Sequence, residues 1–249
     1  MNLTENQIKR YSRNILIQEI GIQGMEKLLQ SRVLVIGAGG LGSSSIFYLA
    51  ANGIGTLGIA DYDKVDLTNL QRQILHFTQD INKEKTDSAK DKINRLNPEV
   101  QIVTYNQKIN KDNITKIIND YDFIIDATDN FESKFLINDA CVTLNKPYSH
   151  CGVSRFEGQT LTYIPGHTCY RCLFDQPPPV DKVLLTSKVG ILGTIPGIFG
   201  AIQATESIKY LTGIGELLVD TLLIMNFKDM SIRKIKVTKN KNCQICNKK

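Results

Sequence analysis

The chain has 249 residues, an apolar fraction of 42%, a charged fraction of 22% and a formal net charge of +5. These values suit a globular protein with a substantial core: one large α/β domain, or one domain with a small appendage. The polar stretch from Met1 to Arg13 lacks the apolar segment of a secretory signal, and no run of about 18 apolar residues offers a membrane span, so a cytoplasmic location is expected.

In chain order, Thr4 and Gln7 have capping-box spacing, and a short helix is predicted through Ile8, Tyr11, Ile15 and Leu16. Its Lys9, Arg10 and Arg13 read first as a solvated surface, the sharper alternative being an arm that carries an arginine to a phosphate. Gly21 and Gly24 are expected to break the segment, leaving Met25 to Leu29 as a last short turn. Arg32 to Ile36 predicts a buried parallel strand that runs straight into Gly37, Gly39, Gly40 and Gly42. Gly37, Gly39 and Gly42 fit a nucleotide-binding fingerprint, in which phosphate meets free N–H groups at a helix start. The helix spans Leu41 to Asn52 and stops at Gly53 and Gly55. Thr56 to Ala60 is the second strand, and Asp61 at its end stands where ribose hydroxyls are held in such folds. The segment from Asp61 to Gln73 is dense in polar groups. Arg72 offers a planar fork of donors for phosphate oxygens, and Asn69 can both donate and accept. Phosphoryl or nucleotidyl chemistry suits this crowd better than hydride transfer does.

A helix is predicted over Asn82 to Asn97, ended by Pro98, with Lys85 on its first turn. Val100 to Tyr105 is a third strand, Asn113 to Asn119 a short helix, and Phe123 to Asp129 a fourth strand ending in a carboxylate. Asp129 is the candidate magnesium ligand; Asp126 serves instead or caps locally. Phe131 to Leu144 is a helix. Pro147 to Val153 and Gly158 to Ile164 are strands with no helix between them, so the sheet should turn antiparallel there. Cys141 and Cys151 read as buried structural thiols.

Cys169-Tyr-Arg-Cys172 and Cys243-Gln-Ile-Cys246 supply four thiolates, which suit a closed tetrahedral zinc site stapling the C-terminal region to a mid-chain loop. A redox pair or an iron–sulfur cluster is the alternative. Three prolines open an irregular crossing loop over Gln176 to Lys188, and Gly190 to Gly200 is a small, glycine-rich packing segment. Ala201 to Leu211 is a helix ended by Gly213. Leu217 to Phe227 and Ile232 to Val237 are terminal strands around Lys228-Asp229-Met230.

Arg10-Tyr-Ser-Arg13, Gly37-x-Gly-Gly-x-Gly42, Asp61-x-Asp63, Asn69-Leu-Gln-Arg-Gln73, Lys85, Asp126-Ala-Thr-Asp-Asn130, Glu157-Gly-Gln159 and the two Cys pairs run in one order along the chain. In this the chain resembles the ubiquitin-activating-enzyme-like adenylyltransferases of bacterial sulfur transfer, the ThiF/MoeB/HesA family. The resemblance implies an α/β fold with a Rossmann-like, mostly parallel sheet, an antiparallel C-terminal extension and a four-cysteine zinc site. It implies a single adenylyltransferase domain over 1–249: a helical arm (1–30), a nucleotide-binding half (31–145), and a carrier-binding half with the zinc site and crossover loop (146–249).

The implied reaction uses ATP and Mg2+ to adenylylate the C-terminal Gly-Gly carboxylate of a small ubiquitin-fold sulfur carrier of thiamine or molybdopterin biosynthesis. A separate sulfur donor, such as a cysteine desulfurase or rhodanese, then forms the thiocarboxylate. Gly37, Gly39, Gly40, Gly42, Asp61 and Asp63 would bind the nucleotide, with Asp61 on the ribose. Asn69, Arg72 and Lys85 would neutralise the phosphates, Gln73 would order them, and Asp129 would hold magnesium. Arg13 would reach the site of the other subunit in a homodimer. His76, His150 and His167 are then structural or polar filler, His167 near the zinc loop. Relatives that carry a cysteine in the crossing loop form a covalent link there; this chain has Thr186, followed by Ser187 and Lys188. The competing readings are an adenylating enzyme acting on another carrier or a tRNA-linked carboxylate, and a zinc-stabilised carrier-binding protein without catalysis. Neither a membrane nor a nucleic acid is an expected partner.

Overall fold

The computed structural model describes residues 2–179 and 189–247. Its strands are β1 (Arg32–Ile36), β2 (Thr56–Ala60), β3 (Gln101–Tyr105), β4 (Phe123–Asp126), β5 (Tyr148–Ser154), β6 (Glu157–Tyr163), β7 (Thr221–Asn226) and β8 (Ser231–Lys236). They form one eight-stranded sheet in the order β3-β2-β1-β4-β5-β6-β7-β8. From β3 to β5 every pairing is parallel; from β5 to β8 every pairing is antiparallel. The expected change of direction after β5 is therefore observed.

The helices are α1 (Glu5–Arg10), α2 (Ser12–Ile15), α3 (Gly21–Gln30), α4 (Gly40–Ala51), α5 (Lys85–Leu96), α6 (Ile114–Asn119), α7 (Phe131–Thr143), α8 (Tyr170–Leu173) and α9 (Thr194–Thr212). Strand alternation sorts β1 between two cores. Val33 and Val35 pack with Leu41, Ile46 and Leu49 of α4 and Phe199 of α9. Leu34 and Ile36 pack with Ile117 and Ile118 of α6 and Ile137 and Cys141 of α7. Burial on both faces is why β1 reads as an unbroken apolar run. Among the described residues no helix is long and apolar enough to cross a membrane.

Several boundaries differ from the sequence expectation. The capping box of Thr4 and Gln7 is present, but the helix divides at Tyr11, whose buried ring accepts a hydrogen bond from Asn97 Nδ2 at 2.9 Å through its hydroxyl. Gly24 lies inside α3 rather than breaking it, because a Cβ there would stand 2.9 Å from Ile20 Cγ2. Helix α5 starts at Lys85, after Asn82 with its φ of 71°. Strand β4 ends at Asp126, where the carboxylate accepts from the Thr128 N–H (3.1 Å) and hydroxyl (2.6 Å) and turns the chain. Thr186, Ser187 and Lys188 lie outside the described residues.

The largest difference is α9, which begins at Thr194, seven residues before the expected Ala201, and takes in most of the glycine-rich packing segment. Gly200 serves helix packing: a Cβ there would overlap Leu41 O and Ser44 Oγ of α4, and Ser45 Oγ donates to Gly200 O at 2.9 Å. Gly200→Ala should therefore destabilise the fold by about 1–3 kcal/mol, the usual cost of overpacking. Urea unfolding at equilibrium checks it; an unchanged midpoint would show that α4 and α9 can part without cost. Gly213 ends α9 in the left-handed region at φ 77°.

Candidate functional site

A cavity of about 470 Å³ opens past the carboxyl ends of β1, β2 and β4 and runs on beside β5 and β6. Such a crevice is the usual ligand position in an open parallel sheet. The glycine turn after β1 forms one wall. At Gly37 (φ 103°) a Cβ would stand 2.9 Å from the Ala127 carbonyl carbon, and at Gly42 it would overlap Gly37 O, so both positions require glycine. Gly39, by contrast, is open: a Cβ there would meet only Gln73 Nε2, at 3.6 Å. The turn is braced from behind. Asp61 Oδ2 accepts the Ala38 N–H at 2.7 Å, and Asp61 Oδ1 accepts the Asp63 N–H at 2.8 Å. His76 Nε2 lies 2.9 Å from Ala38 O, so it donates there, and Nδ1 accepts from Ser88 Oγ at 2.9 Å. Burial chiefly holds His76 below its ordinary pKa, in keeping with this neutral tautomer.

Gly37, Gly39, Gly40, Asp61, Asp63, Arg72, Gln73, Lys85 and Asp129 all line the cavity. Gly42 lies inside the turn, and Asn69 and exposed Arg13 on α2 are not part of the lining. Lys85 is buried, with its Nζ 2.9 Å from Asp63 Oδ2. Arg72 Nη1 donates to Thr68 O at 3.1 Å. Gln73 Oε1 is buried without a partner among the described residues. Burial is the main cause that raises the Asp61 carboxyl above its ordinary pKa, against the opposing pull of Lys85.

At the floor, with Lys134 and His150 in the lining and Asp126 behind them, lies a group that the spacing of the sequence does not single out as a unit. Lys134 Nζ donates to Thr128 O (2.7 Å) and Cys151 O (2.6 Å) and lies 3.3 Å from Asp126 Oδ2. His150 Nδ1 is 2.9 Å from the same oxygen. Burial would raise the Asp126 carboxyl, but Lys134, His150 and Thr128 outweigh it and bring it down to about 2. Asp126 is thus committed inside the protein, and Asp129 is the carboxylate of the two that faces the cavity. The missed signal was periodic: Lys134, Asn138, Cys141 and Val142 share the buried face of α7. Lys134→Met should cost about 3–5 kcal/mol, because it strands a buried carboxylate. The sign with pH is fixed: a depressed carboxyl contributes fully above its unfolded value of about 3.9 and loses that contribution as pH falls toward about 2. Urea unfolding of both proteins across that range tests this; equal stability at neutral pH would refute it.

The two Cys pairs converge. Sγ–Sγ separations are 3.8 Å for Cys169–Cys172, 3.6 Å for Cys169–Cys243 and 3.3 Å for Cys172–Cys246, and all four sulfurs lie within 4.8 Å of one another. A tetrahedral zinc with sulfurs at its usual bond length sets them roughly 3.8 Å apart, so the donor set fits a closed structural zinc. Burial, then the neighbouring thiols, pushes Cys169 up, and Cys246 rises to about 12; a bound dication compensates charge that four thiolates cannot carry alone. Beside them, His167 Nδ1 meets Asp220 Oδ2 at 2.7 Å, in the place expected for it. Cys141 and Cys151 are buried free thiols, also as expected.

Fold and site together define a doubly wound α/β protein with a glycine turn on a polar cavity and a four-thiol cluster able to coordinate a metal. The chain belongs to the ThiF family, whose model matches residues 11–246. It is similar to the adenylyltransferase and sulfurtransferase MOCS3 of Culex quinquefasciatus, 43% identical over 246 residues, covering 98% of this chain and 56% of that protein. It is also similar to the SAMP-activating enzyme E1 of Haloferax volcanii, 40% identical over 246 residues, covering 99% of this chain and 91% of the relative. Several of the curated relatives are thus spanned only over about half their length. Among solved structures, E. coli MccB with ATP superposes with a TM-score of 0.86 at 24% identity, covering 96% of this chain and 75% of the other, a likeness of fold.

Proposed function

We propose that this chain uses ATP to adenylylate the C-terminal carboxylate of a small carrier protein. The observation that carries this is a crevice at the carboxyl ends of the parallel strands that gathers Arg72, Lys85 and an open glycine turn, in a ThiF-family chain. A carboxylate oxygen attacks the α-phosphorus, the bond from that phosphorus to its bridging oxygen breaks, and pyrophosphate leaves with the electron pair. No proton moves, because the carboxylate is already ionised at neutral pH. Charge grows on the phosphate oxygens, so positioned cations, rather than a base, supply the catalysis. Arg72 and Lys85 would supply that charge, Asp61 and Asp63 would hold the nucleotide, and Gln73 and Asn69 would order the phosphates. Asp129, exposed at the rim, would hold magnesium, which commonly uses one or two protein carboxylates beside phosphate.

The finer reading follows the family. The carrier is ubiquitin-fold and ends in Gly-Gly. The chain works as a cytoplasmic homodimer in which Arg13 reaches the partner's phosphates. Residues 31–145 serve the nucleotide and residues 146–249 the carrier. A sulfur donor then acts on the adenylate in thiamine or molybdopterin biosynthesis. The similarity to an adenylyltransferase and sulfurtransferase and to a SAMP-activating enzyme supports this direction. ATP–pyrophosphate exchange decides it, measured with the host's own Gly-Gly carrier and with that carrier lacking its last two residues. Exchange that needs magnesium and the intact tail is expected. Carrier binding with no exchange would make the chain a binding protein instead.

A further inference from the structure

Asp126 on β4 and His150 on β5 are register partners across a parallel pairing. His150 Nδ1 lies 2.9 Å from Asp126 Oδ2. That carboxylate also receives the Thr128 hydroxyl and faces Lys134, so it is an ionised acceptor and the shared proton sits on Nδ1. Burial chiefly holds the imidazole below its ordinary pKa and so neutral, which leaves the Nε2 lone pair free. Nε2 is buried and has no partner among the described residues. The Tyr170 ring, with its centroid 4.2 Å from that of His150, fixes the plane of the imidazole.

Gly152 stands two residues along β5 on the same face. A Cβ there would have Gln159 Cγ at 3.9 Å and His150 Nε2 at 4.0 Å as its nearest neighbours. The unpaired nitrogen therefore borders a gap that the missing side chain leaves. His150, Gly152, Gln159 and Tyr170 all line the cavity, at its β5–β6 end. A neutral lone pair repels phosphate and carboxylate oxygens and calls for an N–H. A polypeptide tail brings such groups at every residue, and the gap over Gly152 gives its backbone room.

We propose that His150 Nε2 accepts a hydrogen bond from a backbone N–H near the C-terminus of the polypeptide whose carboxylate is activated, with Gly152 admitting that backbone. This rests on the function proposed above and adds a specificity-determining residue to it: tails that lack the N–H are rejected. Carriers made by semisynthesis with an ester in place of the last or the preceding peptide link lose one donor without added bulk. Exchange with one of the two should show a KM for carrier raised about tenfold, near the value of one neutral hydrogen bond, at little change in kcat and in the KM for ATP. His150→Phe should raise the KM of the normal carrier similarly and be insensitive to the ester. That change also strips Asp126 of a partner, so Gly152→Ala, which fills the gap and spares the ring, is measured beside it and should raise the carrier KM too. Normal KM values for both esters, or for Gly152→Ala, would overturn the assignment while exchange persists. Exchange absent with every carrier would defeat the underlying function instead. A change confined to the KM for ATP would place the donor on the nucleotide and overturn the assignment as well.

Discussion

Arg72→Ala should lower ATP–pyrophosphate exchange about 100-fold, the effect of removing one donor aimed at developing charge. The residue is placed for this before any ligand arrives. Nη1 is anchored on Thr68 O at 3.1 Å, and Cγ would stand 3.5 Å from a Cβ on Gly40, so the side chain lies over the glycine turn. The remaining guanidinium N–H groups have no protein partner among the described residues. A fork held in position loses little on engaging phosphate, whereas a lysine brings a point charge on a flexible stem. Arg72→Lys should therefore recover only part of the rate, leaving a deficit of about 10-fold. Because Arg72 is half-buried at the rim rather than in a core, both variants should unfold at the wild-type temperature. An Arg72→Ala protein that exchanges at the normal rate would remove this residue from the phosphates.

Cys169→Ser should lower the melting temperature by roughly 10 °C, and a strong chelator should do the same to the wild-type chain. A metal held at a thousandfold above its dissociation constant stabilises by about 4 kcal/mol, which moves a domain of this size by that order. Cys169 is the most telling of the four. It is fully buried, and it packs with Tyr148 and Tyr163 in the core cluster under α6 and α7. Cys246 is only half-buried, so Cys246→Ser should cost less. Metal analysis of the wild-type protein should return about one zinc per chain, because closed four-sulfur sites are the form that zinc takes in structural roles. A metal-free protein whose melting is indifferent to chelator would make the thiols a redox or vestigial cluster.

Much of this was legible in the residues because single positions carried it. The apolar run from Val33 to Ile36, the glycines behind it and the Cys pairs each impose a local geometry that few alternatives share. Strand β1, the turn, the antiparallel change after β5 and the convergence of the four sulfurs followed accordingly. What escaped depended on partners far along the chain. The glycine-rich stretch before Ala201 read as a packing segment outside the helix because glycine disfavours helix, yet it packs on α4 at Gly200 as part of the helix itself. Asp126 and Asp129 could not be told apart by spacing; Lys134 and His150, reaching in from α7 and β5, separate them. His150 read as filler because attack by an ionised carboxylate needs no side-chain base, which says nothing of the second ring nitrogen that the structure leaves without a partner among the described residues.

The sheet order bears on how the molecule comes into being. Strands β5 to β8 meet their neighbours in chain sequence, so each can pair soon after it is made. β1 sits between β2 and β4, and β4 begins only at Phe123, so one flank of the most apolar strand waits unpaired on the ribosome while β2 and β3 are laid down. Nascent chains halted short of Phe123 should show β1 amides open to hydrogen exchange that close once β4 has emerged. That interval is when this sequence most needs a chaperone's cover, since non-local parallel pairing is slow and leaves apolar edges exposed.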